Sequence, residues 1–372
     1  MGTGRVAGRI RPLVAVVAAV AVAAVAAGGL LASRRNPEAG AGAAVPLAAS
    51  NKPQTSTPPK KLAVDAAKLQ LGREPQVPYV RGRTLQGGGG QAVVIPGKNE
   101  LVAVARLWDL TLTVQLKSVT SPSLVVLDGE GKQVNQVPGV DSLVTSADGQ
   151  AAAYASGGRF AADAMAGGTV YFQEPGKKPT AQLSRPHVYD LEVLAVIGKS
   201  VYFHSARGTD VPWELYRWQV DKQTVTRVST VASPVAVSTS GTAAAGFVVF
   251  NDSGMCTAVT DLASGRQSWR TCQYQLTRFS PTDRFVLAIP PGSSPYGDEL
   301  TAALDSKTGA LLREWDAGSL RGAVAEDDDH VLLQWHDRPE PQSRSALVRC
   351  TISTGQCELA TPLSSDSLLL GS

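Results

Sequence analysis

The strongest constraint on this 372-residue chain is a repeat. Six segments, at 123–137, 168–183, 214–228, 256–272, 300–315 and 346–361, share one design: strand, tight turn, strand. Their turns fall at Gly131, Gly176, Lys222, Gly265, Gly309 and Gly355, at intervals of 45, 46, 43, 44 and 46 residues. One further step back from Gly131 reaches the glycine run 87–90, inside a seventh candidate hairpin at 83–96. Shorter pairs of apolar runs lie between the hairpins, among them 141–156, 235–250 and 276–289. Runs rich in Val, Leu, Tyr and Thr between Gly, Asp, Ser and Pro turns read as strands, so each period holds about four.

Four strands in roughly 44 residues make one blade of a β-propeller, which deals with exposed sheet edges by arranging blades radially around a channel. The expectation is an all-β domain over 75–372 with seven four-stranded blades, six or eight being the alternatives. After the hairpin at Gly355 only one strand follows, at 364–372, whereas the hairpin at 87–90 lacks preceding inner strands. The two ends complement each other, so the last strand and 76–96 are expected to share a blade. Two motifs add a resemblance: FSPTDRFVLAI at 279–289 resembles the F-S-P-D-G-[RK]-x-[LI] strand turn of TolB-like and WD-repeat propellers. LDSKTGALL at 304–312 resembles the L-D-x-x-T-G hairpin of quinoprotein-like and WD propellers. Both motifs specify architecture, and the TolB-like resemblance implies an accessory of an envelope complex. Thr282 and Asp283 stand where that pattern has Asp and Gly, and no G-H or W-D signature closes the blades.

Ahead of the repeat, residues 12–32 (PLVAVVAAVAVAAVAAGGLLA) carry no charge, and about twenty such residues span a bilayer as a helix. Arg5, Arg9 and Arg11 precede the run and Arg34 and Arg35 follow it, which favours a cytoplasmic amino terminus and a carboxy-terminal domain outside. The expected partition is a cytoplasmic tail 1–11, a signal anchor 12–32, a Pro/Ala/Gly-rich linker 33–74 and the propeller 75–372. A cleaved signal peptide, with small residues at 23–27 as its site, is the competing reading. Without those five arginines, thirty basic residues face 32 acidic ones, so no basic footprint for nucleic acid is spread over the folded part.

The four cysteines follow the same register. Cys256 and Cys272 are each eight residues from Ser264, and Cys350 and Cys357 flank the next turn but one, so each pair faces itself across a hairpin and is expected as a disulfide. Enzyme motifs are absent around His187, His204, His330 and His336. EDDDH at 326–330 reads as a solvated turn, with calcium ligation the alternative, and no metal or cofactor is expected. Trp218, Trp269 and Trp315 read as packing residues of the hairpin strands. The longest loops, 158–168, 206–213, 290–299 and 337–345, precede hairpins in one phase and share one face. They bring Arg207, Asp210, Trp213, Tyr296, Asp298 and Arg338 to a candidate recognition surface. The expected function is a non-enzymatic binding or scaffolding module for a protein, peptide or envelope component. A propeller-fold hydrolase or lyase is the alternative.

Overall fold

The computed structural model describes residues 61–118, 121–157, 167–176, 178–208, 211–251, 254–292, 297–338 and 343–371. The expected membrane span 12–32 and most of the linker lie outside them, and no helix among the described residues is long and apolar enough to cross a membrane. Apart from the 3-10 turn Ala66–Lys68, the regular structure of the described residues is all β.

Four sheets follow the chain from inner strand to outer strand. They are Glu100–Leu107, Leu110–Leu116, Pro122–Leu127 and Gln133–Pro138; then Val140–Thr145, Ala152–Ser156, Gly168–Gln173 and Ala181–Arg185. The third comprises Tyr189–Ile197, Ser200–Ala206, Glu214–Gln219 and Thr224–Ala232, and the fourth Pro234–Val237, Ala243–Asn251, Gly254–Asp261 and Gln267–Thr271. A larger sheet runs through Gln275–Phe279, Phe285–Ile289, Asp298–Asp305, Leu311–Ala325, His330–His336, Ser345–Thr351 and Cys357–Leu359. In the remaining sheet, Leu368–Leu370 pairs antiparallel with Pro78–Arg81, followed by Thr84–Gly87 and Val93–Val94. The carboxy-terminal strand therefore completes the sheet begun at the amino-terminal end, with Leu368 opposite Arg81 and Leu370 opposite Tyr79. Inner strands of successive sheets are neighbours, from Leu368–Leu370 through Glu100–Leu107 and onward until Leu311–Ala325 meets Leu368–Leu370 again. This is a β-propeller-like ring.

The core lies between facing sheets. Trp218 packs with Phe172, Val201 and Phe203, whereas Trp315 packs with Phe285, Leu333 and Val348. Outer hairpins turn on short polar motifs: Asp305 accepts hydrogen bonds from the Lys307 and Thr308 amides and the Thr308 hydroxyl, and Gly309 follows at φ +72°. A Cβ at Gly309 would also lie 2.6 Å from the Trp269 indole, so both conformation and packing require glycine there. Disulfides join Cys256 to Cys272 and Cys350 to Cys357 across two outer hairpins.

One boundary differs from the sequence expectation. Residues 61–74, placed in the linker above, are folded: Lys61–Ala63 pairs in parallel with Leu311–Ala325, and Leu71 bridges to Leu359. The physical reason is apolar spacing too short to register as a repeat. Val64 and Ala66 are buried, and Leu62 and Leu69 pack against the Trp315 cluster.

Candidate functional site

Within each sheet the tight turn after the inner strand and the longer loop before the third strand lie at opposite ends, because the strands alternate in direction. Serine side chains close the tight turns: Ser146, Ser238 and Ser280 Oγ accept the amides of Ala151, Ala243 and Phe285. Neighbouring turns are latched by carboxylates. Asp283, at φ +62°, accepts from the Thr239 amide and hydroxyl and the Ser240 amide, and Asp328 accepts from the Ser280 and Thr282 hydroxyls. The departure of Asp283 from the usual glycine thus exchanges backbone ease for an inter-sheet bond. The acidic turn 326–330 is similarly engaged: Asp327 accepts from the amides of Asp329 and His330, Asp329 from Ser353, and Glu326 from Arg349.

At the long-loop end, Arg207 and Trp213 line a pocket of about 420 Å³ with Val211, Glu214, Arg227 and Val231. Glu214 anchors it, 3.4 Å from Arg207 Nε and 3.0 Å from Arg227 Nη2, and accepts the Tyr216 hydroxyl at 2.5 Å. The Tyr216 hydrogen bond, ahead of the two arginine charges, holds the Glu214 carboxyl below the ordinary range against partial desolvation. Trp213 stacks on the buried His204 ring at 4.7 Å and 12°, which fixes the indole. The backbone here is bonded to the next sheet, the Ser233 amide donating to Trp213 O and the Phe247 amide to Ser233 O. There Phe247 packs on Phe250, itself 71% exposed, with Val248 beside it.

Of the other expected site residues, Asp298 and Arg338 do not line this pocket. Asp210 and Tyr296 lie outside the described residues. Arg338 is exposed beside Asp337 on the large sheet. Asp298 opens the strand Asp298–Asp305; its Oδ1 is buried with no hydrogen-bond partner among the described residues, and burial raises its pKa. Phe250 and Val248 were missed by the sequence reading because their run resembles a buried strand, and only its length, nine residues at Ala243–Asn251 against five at Ala152–Ser156, signals an overhang.

A second cavity, of about 740 Å³, occupies the central channel. Its lining includes the tight-turn residues Ser146, Thr239, Pro281 and Glu326, so it reaches the end of the ring opposite the long loops. Arg278 stands in it, open to channel water but surrounded by the ring, and that desolvation pushes its pKa below the ordinary value.

No family model matches the chain, and no curated protein does. Solved structures match by fold. A functionally unknown protein of Desulfotomaculum acetoxidans aligns over 80% of this chain and 99% of its own at TM-score 0.51 and 10% identity. An uncharacterized protein of Listeria monocytogenes aligns over 75% and 91% at TM-score 0.50 and 12% identity. TolB from Acinetobacter baumannii aligns over 74% and 68% at TM-score 0.46 and 15% identity. At such identities the likeness speaks to fold alone.

Proposed function

We propose that this protein is a non-enzymatic binding propeller that takes a protein or peptide partner on its long-loop face. The observation that carries the reading is that two aromatic features stand at this end, Trp213, preset by the His204 stack between Arg207 and Arg227, and the Phe247–Phe250 pair, their backbones joined through Ser233. Rigid aromatic anchors beside arginines are the residues that dominate interface energetics, and an exposed Phe on a projecting strand has no role in the fold. The test is affinity capture from membranes with the intact protein and with a Trp213→Ala/Phe250→Ser double variant that retains the parent's circular dichroism. Loss of a captured partner by at least about tenfold in the variant supports the surface, a difference of roughly 1.4 kcal/mol or more. Equal capture by the variant removes it.

The same reading places the ring outside the cytoplasm, tethered through residues 12–32, on the strength of the uncharged run and its arginine flanks. It also counts seven blades, the large sheet contributing two that share the strand Leu311–Ala325. That strand's first half pairs with Asp298–Asp305 and its second with His330–His336, and Gly318 at φ +72° lies between the halves.

A further inference from the structure

Around the channel, the inner strands carry β-bulges, and a bulge sets the direction of the side chain beside it. The residue that resumes the ladder after the bulge is Ala103, Ser142, Ala195, Ala236 and Gly322 in five of these strands. In the strand Gln275–Phe279 it is Arg278. Ala103, Ser142, Ala195 and Ala236 line the same cavity as Arg278, so one long cationic side chain stands where the neighbouring strands leave room.

The Arg278 guanidinium makes no hydrogen bond or ion pair with the described residues. The other arginine of the lining, Arg106, is spent on the Gly87 and Gln91 carbonyls. Carboxylates also line the cavity and are otherwise engaged: Asp148 accepts from the Ser146 hydroxyl and Gln150 amide, Glu326 holds Arg349, Glu192 lies 3.6 Å from His204, and Asp141 has an interaction of its own. A guanidinium that faces the channel without a counter-charge is free to take an anion, and its fork of donors matches the two oxygens of a carboxylate. The surrounding acids disfavour a dianion. Leu143, Val144, Leu194 and Val235 add apolar lining, and the volume lies in the range of small-molecule sites.

We propose that the channel is a second binding site, in which Arg278 holds the carboxylate of a small organic monoanion whose apolar body lies against the inner strands. The site is at the other end of the ring from the partner surface and is independent of it. The test is isothermal titration of the full-length protein and its Arg278→Gln and Arg278→Lys variants with octanoate, octanamide and inorganic phosphate. Octanoate is expected to bind at one site, with affinity falling by at least about tenfold in Arg278→Gln and by less in Arg278→Lys, and more tightly than octanamide or phosphate. Absence of octanoate binding, equal binding by Arg278→Gln, or tighter binding of phosphate would each overturn the proposal. Without ligand, Arg278→Gln is expected to melt at or above the parent's temperature. A clearly lower melt would show that the guanidinium already has a structural partner, and would overturn it too.

Discussion

Glu326 takes the turn position that serine holds at Ser146, Ser238 and Ser280, its amide bonding the His330 carbonyl as theirs bond Ala151, Ala243 and Phe285. Its carboxylate does a different job. Fully buried, it accepts from Arg349 Nε at 2.5 Å and Nη2 at 2.8 Å, from Arg73 at 3.1 Å and from the Gln76 amide at 2.7 Å. Arg349 in turn donates to the Arg73 and Glu74 carbonyls, so one buried ion pair ties the segment entering the first strand to the last part of the ring. Burial alone would raise the Glu326 pKa, but the Arg349 hydrogen bond, the Gln76 amide and the two arginine charges bring it below the ordinary carboxylate range. A depressed folded-state pKa stabilises above the unfolded value and loses that stabilisation as pH falls through the folded one. Glu326→Gln is therefore expected to lower stability at neutral pH, by up to about 3 kcal/mol, because it removes the buried one of Arg349's two carboxylate partners and leaves only the partly exposed Glu358. Urea midpoints of the two proteins should converge as pH falls below the ordinary carboxylate pKa of about 4.3. A gap that stays constant across the acid limb would assign the effect to packing instead.

The amino-terminal arm shows how little chain an element needs when its contacts are buried. Lys61–Ala63 adds only three residues to the outer edge of the large sheet, yet Leu62, Val64, Ala66 and Leu69 cover the Trp315 cluster, and Lys61 reaches Glu314 at 3.3 Å and Asp316 at 3.5 Å. The exposed ion pairs contribute little, whereas each buried aliphatic side chain contributes roughly 1.5 to 3 kcal/mol. Deleting 61–69 is expected to lower the thermal midpoint clearly, while a control deletion of 36–56 separates loss of the arm from loss of chain length. An unchanged melt on removing the arm would show that it is an ornament of the ring.

At the scale of the whole molecule the decisive contact is the pairing of Leu368–Leu370 with Pro78–Arg81, which joins the carboxy-terminal strand to the first strand of the ring's sheets. Deleting 364–371 exposes the edge of Pro78–Arg81 and opens the cluster in which Leu368 packs with Tyr79, Leu332 and Leu347. Typical domains are stable by about 5 to 15 kcal/mol, so losing this ladder and its buried leucine is expected to move unfolding to markedly lower urea. Were the truncated chain to unfold like the parent, the ring would owe its integrity to the Glu326–Arg349 clasp and the arm.

Strand spacing, turn chemistry and the cysteine pairs were legible in the sequence because each is local: a period near 44 residues, a glycine at φ above zero, and two cysteines equidistant from one turn. Complementary missing strands even indicated which ends meet. Tertiary structure alone decided the rest, because it concerns residues far apart in the chain. The sequence does not show that Glu326 faces Arg73 and Arg349, that Phe250 stands exposed against Phe247, or that Arg278 stands among Ala103, Ser142, Ala195 and Ala236. A side chain's partners inside a ring are set by which sheets become neighbours and by where each bulge turns the strand, and neither has a local sequence signature.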